Sequence, residues 1–377
     1  MPGSSEIDTA QLPARLEQLE GIELLEDLAE KVPAYLVGGA VRDLLLGRDR
    51  TDLDVVIEGD VSALEGAPGF ELERDGRFLT GKLRLEDSEI DIAQARAENY
   101  PAPGALPEVE PASIDQDLAR RDFTINATAI PLAGETRLID PHGGLDDLRA
   151  GVLRVLHERS FVDDPTRALR AARYAARFGF HLDPDTERHL READLGKVSD
   201  DRVQGELRQI AAEEDPAKAI ALIAEWGIAP TIDPDASQRV AKVAELASRP
   251  PWAGWADRDL AVMLAIARPL PQIRELVAGE PERPSEVVRL AEPWDASQLL
   301  VARALGAEWL DRYAEELRHV RLEISGDDLL AEGIPEGPEI GRGLLAALSG
   351  KLDGELSGRD EELRIALAVA RGEIPED

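Results

Sequence analysis

The chain has no cysteine, which excludes disulfides, thiolate-bound zinc and thiol catalysis. It has no apolar run near the ~20 residues a membrane helix needs. Met1 to Glu6 carry neither a basic start nor an apolar core, so the sequence predicts no signal peptide and a cytoplasmic protein. Positive charge is short overall. The formal net charge of −33 excludes a generally basic nucleic-acid binder. Lysine is rare among the 43 basic residues. What basic charge there is clusters: seven arginines fall between Arg149 and Arg177. Affinity for phosphates depends on such local neutralisation rather than on the global sum. Arginine also suits bidentate phosphate and base contacts better than lysine.

At 377 residues, with 43% hydrophobic residues, the chain has room for about two to four packed domains. Leu12, Leu16, Leu19, Ile22, Leu25 and Leu28 recur at helical spacing, predicting one amphipathic helix over residues 6–30. A strand over 34–37, a glycine turn, a helix over 40–46 and a strand over 53–57 follow. Residues 61–69 are too short and too rich in Gly and Pro for a crossover helix. Strands are predicted at 70–74, 78–85 and 88–93, then a Pro-rich loop over 99–111. A helical pattern runs from Ile114 to Ile130, and a strand from Thr136 to Ile139 closes this mixed α/β region. From about residue 146 the pattern is nearly all helix.

Three constellations carry chemistry. The first is Gly38-Gly39 before a helix that carries Arg42, followed by Asp52 and Asp54 two apart on the next strand. Gly-Gly lacks the third glycine of a dinucleotide fingerprint and the Gly-Lys-Ser/Thr of a P-loop. Alone it is a tight strand-to-helix turn. Side chains two apart on a strand share a face, so Asp52 and Asp54 project together. Two such carboxylates can hold two Mg²⁺ ions, one activating a 3′-hydroxyl and one stabilising pyrophosphate. Arg42, at the helix N-terminus, can meet phosphate oxygens. Asp91, in an alternating strand pattern, is either a third carboxylate or an outward strand-end residue.

The second constellation is Arg120-Arg121-Asp122-Phe123-Thr124-Ile125-Asn126. Phe123 and Ile125 want a core, so the arginines are more than a solvated face. Arg121 can clamp a triphosphate; Asp122 and Asn126 can fix the site or a ribose. The third is Asp163-Asp164-Pro165, a strong helix start. Behind it Arg167, Arg170 and Arg173 follow Asp164 at intervals of three. One reading is a solvated face with Asp–Arg pairs. The other is base selection. Cytosine and adenine both present an amine donor beside a ring-nitrogen acceptor, which Asp and Arg complement, whereas uracil and guanine present the reverse. Such a match is worth ~1–3 kcal/mol per wrong base.

Leu-Val-Gly-Gly-Ala-Val-Arg-Asp (36–43), Thr-Asp-Leu-Asp (51–54), Arg-Arg-Asp-Phe-Thr-Ile-Asn-Ala (120–127) and Asp-Asp-Pro-Thr-Arg-Ala-Leu-Arg-Ala-Ala-Arg (163–173) closely resemble the motifs of the class II tRNA nucleotidyltransferase/poly(A) polymerase family. Residues 143–148 and 201–207 look like its connecting and neck motifs. The resemblance implies an α+β protein. An N-terminal helix (1–33) and a nucleotidyltransferase head with a small mixed sheet (34–148) precede a helical neck (149–214), body (215–321) and tail (322–377). It implies addition of CCA to the tRNA 3′ end from CTP and ATP, with Mg²⁺ at Asp52 and Asp54. It implies nucleotide contacts at Gly39, Arg42 and Arg121, and base selection at Asp164, Arg167, Arg170 and Arg173. CC-adding, A-adding and poly(A)-forming members differ little in these motifs. A non-catalytic RNA-binding protein on the same scaffold is disfavoured, because both aspartates are present. The family often has Glu-Asp where this chain has Asp163-Asp164, and Arg-Phe-Gly-Thr where it has Arg77-Phe78-Leu79-Thr80. Five histidines and no His-Asp pair exclude the phosphohydrolase domain of some relatives.

Overall fold

Two helices stand where one was expected at the start of the chain: α1 (Leu12–Leu16) and α2 (Ile22–Ala29). Gly21 separates them at φ 78°, a left-handed conformation that costs glycine least. A computed structural model describes residues 7–48, 53–73, 80–85, 89–229, 232–233, 235–267 and 271–374. It divides into two compact units, Met1–Glu214 with Leu222–Pro230, and Asp215–Ala221 with Thr231–Asp377. Among the described residues no helix is long and apolar enough to cross a membrane.

The first unit is built on a mixed six-stranded sheet, in the spatial order β3 (Phe70–Glu73), β4 (Thr80–Arg84), β5 (Glu89–Gln94), β2 (Asp54–Ile57), β1 (Ala34–Val37), β8 (Ala129–Pro131). In chain order, β1 (Ala34–Val37) leads through a glycine turn into α3 (Gly39–Leu45), and β2 (Asp54–Ile57) returns antiparallel to β1. Val55, Val56 and Ile57 are all buried, as a central strand covered on both faces requires. The sheet continues with β3 (Phe70–Glu73), β4 (Thr80–Arg84) and β5 (Glu89–Gln94). β2 and β5 are parallel, and parallel neighbours need a crossover. Between Val61 and Leu64 there is only a single 3₁₀ turn, so the β3–β4 hairpin makes that crossover instead of a long helix.

Three expectations for residues 96–139 need correction. The Pro-rich stretch holds a hairpin, β6 (Arg96–Asn99) with β7 (Glu108–Pro111), and only the connection between them is loop. The helix α4 (Ile114–Ala119) stops well before Ile130. Thr124 N donates to Arg154 O at 2.9 Å, and Phe123 takes extended backbone in a bridge to Val155, so tertiary pairing draws the chain off the helix. Finally, the closing strand is β8 (Ala129–Pro131), paired with β1. Ile139 only bridges Ala129 across from it. Ile114 and Leu118 of α4 pack with Val37, Val56 and Ala129, so α4 covers this face of the sheet. Each such buried side chain contributes about 1.5–3 kcal/mol.

The remainder of this unit is helical apart from a two-residue parallel pair. α5 (Gly144–Ala150) is capped by Asp140, which accepts from Gly144 N at 2.7 Å and Leu145 N at 2.9 Å. β9 (Val152–Leu153) pairs with β10 (His181–Leu182). Between them lie α6 (Ser160–Asp163) and α7 (Thr166–Phe178), the latter ended by Gly179 at φ 72°. α8 (Pro184–Leu190) and α9 (Asp200–Ala211) follow, and α10 (Pro216–Glu225) contributes residues to both units.

The second unit is all helix among its described residues, from α11 (Ala236–Ala247) through α12 (Arg258–Ile266), α13 (Pro271–Ala278), α14 (Pro284–Ala291), α15 (Ala296–Ala304) and α16 (Leu310–Glu315). Trp252 is buried there, and its indole N–H donates to Asp311 Oδ1 at 2.8 Å. α17 (Gly326–Ala331), α18 (Pro338–Leu352) and α19 (Arg359–Ala370) close on a core of Ile324, Leu329, Ile334, Ala347 and Ala366. Gly343 permits this approach, because a Cβ there would fall on the Ala366 carbonyl. Glu362, fully buried, accepts from Lys351 Nζ at 2.6 Å and Glu323 N at 2.7 Å.

Candidate active site

A cleft of about 830 Å³ opens within the first unit. That is within the usual size range of small-molecule sites. One end is formed by the strand ends and the glycine turn. Gly38 sits at φ 65°, ψ −126°, which suits glycine alone. A Cβ on Gly38 would also fall on Arg121 Nη1. The missing side chain thus lets a guanidinium lie directly against the turn. Arg121 is steadied from behind: its Nε and Nη2 donate to Asp117 Oδ2 at 3.3 and 2.9 Å. Asp117 is fully buried and also accepts from Arg120 Nη2 at 2.7 Å. Burial pushes the Asp117 carboxyl up, but the Arg121 and Arg120 charges prevail and hold it below its usual value.

Asp54 begins β2, is exposed, and lines the cleft. Its register partner on β5 is Asp91, also exposed. Registered side chains on neighbouring strands share a face, so the two carboxylates stand side by side. On the far side of Asp91 comes Lys82, whose Nζ lies 2.9 Å from Glu89 Oε2. Asp91 itself is not part of the cleft lining. Asp52 lies outside the described residues, as does the Arg77-Phe78-Leu79 stretch. Among the described residues no three metal-ligating side chains cluster. The donors that are present, solvent-reachable carboxylate oxygens, fit a hard divalent cation such as Mg²⁺.

The other end is a buried ionic network around Asp122. Asp122 Oδ2 accepts from Arg170 Nε at 2.8 Å and lies 2.7 Å from Arg170 Nη2. Its Oδ1 accepts from Phe123 N at 2.8 Å and Asn126 Nδ2 at 2.9 Å. Burial alone would raise the Asp122 pKa. The Arg170 charge and the hydrogen bonds from Asn126 and Arg170 overcome it and hold the carboxyl far below the usual range. The Asp122 charge in turn holds the Arg170 pKa well above normal. Asp122 and Asn126 therefore meet as expected, but across a 3₁₀ turn rather than along an α-helix. Asn126 Oδ1 accepts from Arg42 Nη1 at 2.6 Å, and Arg42 Nε donates to Asp43 Oδ1 at 2.8 Å. Arg42 is thus buried and lies 5.2 Å from the Tyr174 ring centre. Arg173 lies over the same ring at 4.9 Å. Such stacking is worth about 0.5–2 kcal/mol.

The side chains of Asp164 and Arg167 do not pair; only Arg167 N donates to the Asp164 carbonyl, at 3.1 Å. Asp164 Oδ1 accepts from Thr166 Oγ1 at 2.6 Å and from Arg202 Nη2 at 2.7 Å. Arg167 is buried, donating Nη1 to Ser160 Oγ at 2.7 Å and Nη2 to the Arg120 carbonyl at 2.8 Å. Arg173 lies 3.7 Å from Glu206 and 3.5 Å from Glu213. Of the two readings, a freely solvated face does not hold: Arg167 and Arg173 are buried, and Asp164 and Arg170 are half-buried.

Of the nucleotide-site residues named from the sequence, Gly39, Arg42, Arg121, Asp122, Asn126 and the four on or before α7 all line this cleft; Gly38 stands just behind it. Sequence reasoning missed Glu98, Tyr100, Arg202 and Glu206, which line it too, as does Arg120 of the second constellation. Arg202 and Glu206 carried a signal, since a spacing of four on one helix places both on one face. Glu98 and Tyr100 were hidden in the unrecognised hairpin. Burial is the main cause that pushes the Tyr100 hydroxyl up to about 12, with the Glu98 carboxylate adding to it.

Residues 34–154 match the family model described as the poly A polymerase head domain. The A-adding tRNA nucleotidyltransferase of Geobacter sulfurreducens is 32% identical over 93% of this chain, which spans about half (47%) of that protein's length. The CC-adding tRNA nucleotidyltransferase of Deinococcus radiodurans is 34% identical, with 90% of each chain covered. The Thermotoga maritima CCA-adding enzyme, solved in complex with tRNA, superposes with a TM-score of 0.73 at 31% identity, over 96% of this chain and 98% of that one. The chain belongs to the tRNA nucleotidyltransferase family, whose members share the poly(A) polymerase head. The chemistry of that family generally uses a divalent metal.

Proposed function

We propose that this protein adds CCA to the 3′ end of tRNA from CTP and ATP, without a nucleic-acid template and with Mg²⁺. The observation that carries this reading is the meeting, in one cleft, of an exposed Asp54 with a network that joins buried Asp122 to the arginines of α7. The reaction joins the 3′-oxygen of the RNA to the α-phosphorus of the nucleotide and releases pyrophosphate. Asp52 and Asp54 would hold the metal, with Asp91 beside Asp54 as a further carboxylate. When bound, Mg²⁺ polarises phosphate oxygens and offsets the charge that develops there. Arg121 at the Gly38 turn, with Arg42 beside it, supplies positive charge for the triphosphate. Asp122 and Asn126 lock the arginines in place before the nucleotide arrives.

Base choice falls to Asp164 and Arg167, one accepting from the exocyclic amine and the other donating to the ring nitrogen. Because each is held by other partners, neither has to break a mutual ion pair to meet the base. Arg170 and Arg173 extend the same face. We divide the chain into an N-terminal helical segment (1–33), head (34–148), neck (149–214), body (215–321) and tail (322–377). The body and tail are where we expect the RNA to be held. A tRNA substrate also argues for the cytoplasm.

The A-adding and CC-adding relatives favour a second reading, in which only part of the CCA sequence is added. Incubation with tRNA lacking its 3′ end, with labelled CTP and ATP separately and together, decides between them. Incorporation of both in turn is expected. ATP alone onto tRNA ending in CC points to an A-adding enzyme, and incorporation of neither overturns the enzymatic reading.

A further inference from the structure

The two carboxylate oxygens of Asp164 are not equivalent. Oδ1 accepts from Thr166 N at 3.1 Å, Thr166 Oγ1 at 2.6 Å and Arg202 Nη2 at 2.7 Å. A carboxylate offers about four lone-pair sites over two oxygens, so three donors fill Oδ1 and leave Oδ2 to accept from a ligand. Arg202 does more than pair with Asp164. Its Nη1 donates to the Gly104 carbonyl at 3.1 Å, in the loop between β6 and β7. Gly104 N in turn donates to Asp163 O at 3.2 Å. Gly104 lies at φ 73°, and a Cβ there would fall on the Lys197 carbonyl. One guanidinium from α9 therefore ties together the hairpin loop and the turn that carries Asp164. The same loop brings in Tyr100, whose hydroxyl donates to Glu98 Oε2 at 3.0 Å.

We propose that Arg202 is a positioning residue for base selection, fixing the Asp164 carboxylate so that Oδ2 alone faces the base edge. It acts on the base through Asp164. The proposal rests on the assignment of Asp164 to base reading. A fixed acceptor repels the carbonyl that uracil or guanine places where cytosine and adenine carry an amine. Without Arg202 the carboxylate is held only by Thr166 N and Oγ1, both on Oδ1 and both from one side, so it can tilt away from that carbonyl or admit a water between them. Losing the clamp should then relax the choice of base more than it slows transfer.

The test is kcat/KM for each of the four nucleoside triphosphates, on tRNA lacking its 3′ end, with the wild-type chain and Arg202→Gln. The preference for CTP over UTP is expected to fall about tenfold or more, with a smaller drop in kcat for CTP itself. Binding of tRNA should be unchanged. An equal loss for all four nucleotides, or an unchanged preference, overturns the role of Arg202. If Arg202→Gln does not fold, Arg202→Lys carries the test. A single ammonium cannot reproduce the fork, so a fall of at least about threefold in the same preference is expected. A preference equal to wild type overturns the proposal. Failure of the wild-type chain to incorporate CTP or ATP is a different result, and it overturns the functional reading instead.

Discussion

The two ends of the cleft are built on opposite principles. At the strand ends, Asp54 lines the cleft and is exposed, with the like charge of exposed Asp91 beside it on the neighbouring strand, outside the lining. At the α7 end, Asp122, Arg167 and Arg173 are buried; Asp122 and Arg173 meet opposite charges, and Arg167 donates to the Ser160 hydroxyl and the Arg120 carbonyl. Two adjacent carboxylates are tolerable only where water or a cation can reach them, because burial would force one to take up a proton. A base-reading surface has the reverse need. Its donors and acceptors must be fixed before the ligand arrives, or the wrong base is met by rearrangement rather than repulsion. On the proposed assignment, the molecule separates the reaction from its selectivity by separating exposed from buried charge.

The largest effect should follow from removing the exposed charge. Asp54→Ala is expected to lower single-turnover incorporation of CTP by about 10³-fold or more. Its circular dichroism and unfolding midpoint should match wild type, since an exposed strand-end carboxylate holds no core together. Retained activity would break the contrast outright. Asp122→Ala should do the opposite. It removes the nearest opposite charge from a part-buried Arg170 that keeps only Glu206 at 3.4 Å, at a cost of about 1.5–3 kcal/mol, so a drop in the denaturant midpoint is expected. Wild-type stability at this end would then owe little to the Asp122–Arg170 pair if the midpoint barely moved.

Acid titration sharpens the same point. The folded Asp122 carboxyl titrates far below its unfolded value of about 3.9. The stability it contributes is therefore whole above that value and is lost as pH falls below about 4. Asp122→Asn should flatten that part of the stability–pH curve; an unchanged slope would contradict the ionised state of Asp122. Gly38→Ala comes next. The positive φ costs about 1–3 kcal/mol, and displacement of Arg121 should cost about 10²-fold in transfer. Wild-type transfer by a folded Gly38→Ala chain would exclude Arg121 from the triphosphate site. The smallest effect is ionic: raising salt should weaken tRNA binding, because phosphate contacts release counterions. A binding constant that does not change with salt would rule out such contacts.

What the sequence disclosed was local. The glycine turn, the carboxylate pair and the arginine spacing each depend on a few neighbouring residues, and of the described residues they pointed to, Gly39, Arg42, Asp54, Asp164, Arg167, Arg170 and Arg173 line one cleft. What stayed hidden was tertiary. Asp164 meets Arg202 across 38 positions, and Arg167 meets the Arg120 carbonyl across 47. Spacing along α7 suggested Asp–Arg pairs, yet hydrogen bonds from other elements took both partners away. The end of α4 was hidden for the same reason, since pairing of Thr124 with Arg154 stops a pattern that reads as helix to Ile130. The β6–β7 hairpin escaped because its strands are only four residues long and sit among prolines. That miss concealed Glu98 and Tyr100, and with them one wall of the cleft.

Separation of reaction from selectivity is tested most directly by single-turnover incorporation of CTP, ATP, UTP and GTP, each alone, onto tRNA lacking its 3′ end. Wild type, Asp54→Ala and Arg167→Ala are compared. Asp54→Ala is expected to lose incorporation of every nucleotide that wild type accepts. Arg167→Ala is expected to keep transferring, while its preference for CTP over UTP falls by about 5- to 150-fold. Equal losses for all nucleotides in Arg167→Ala, with the wild-type preference intact, would contradict the assignment of selectivity to the buried end.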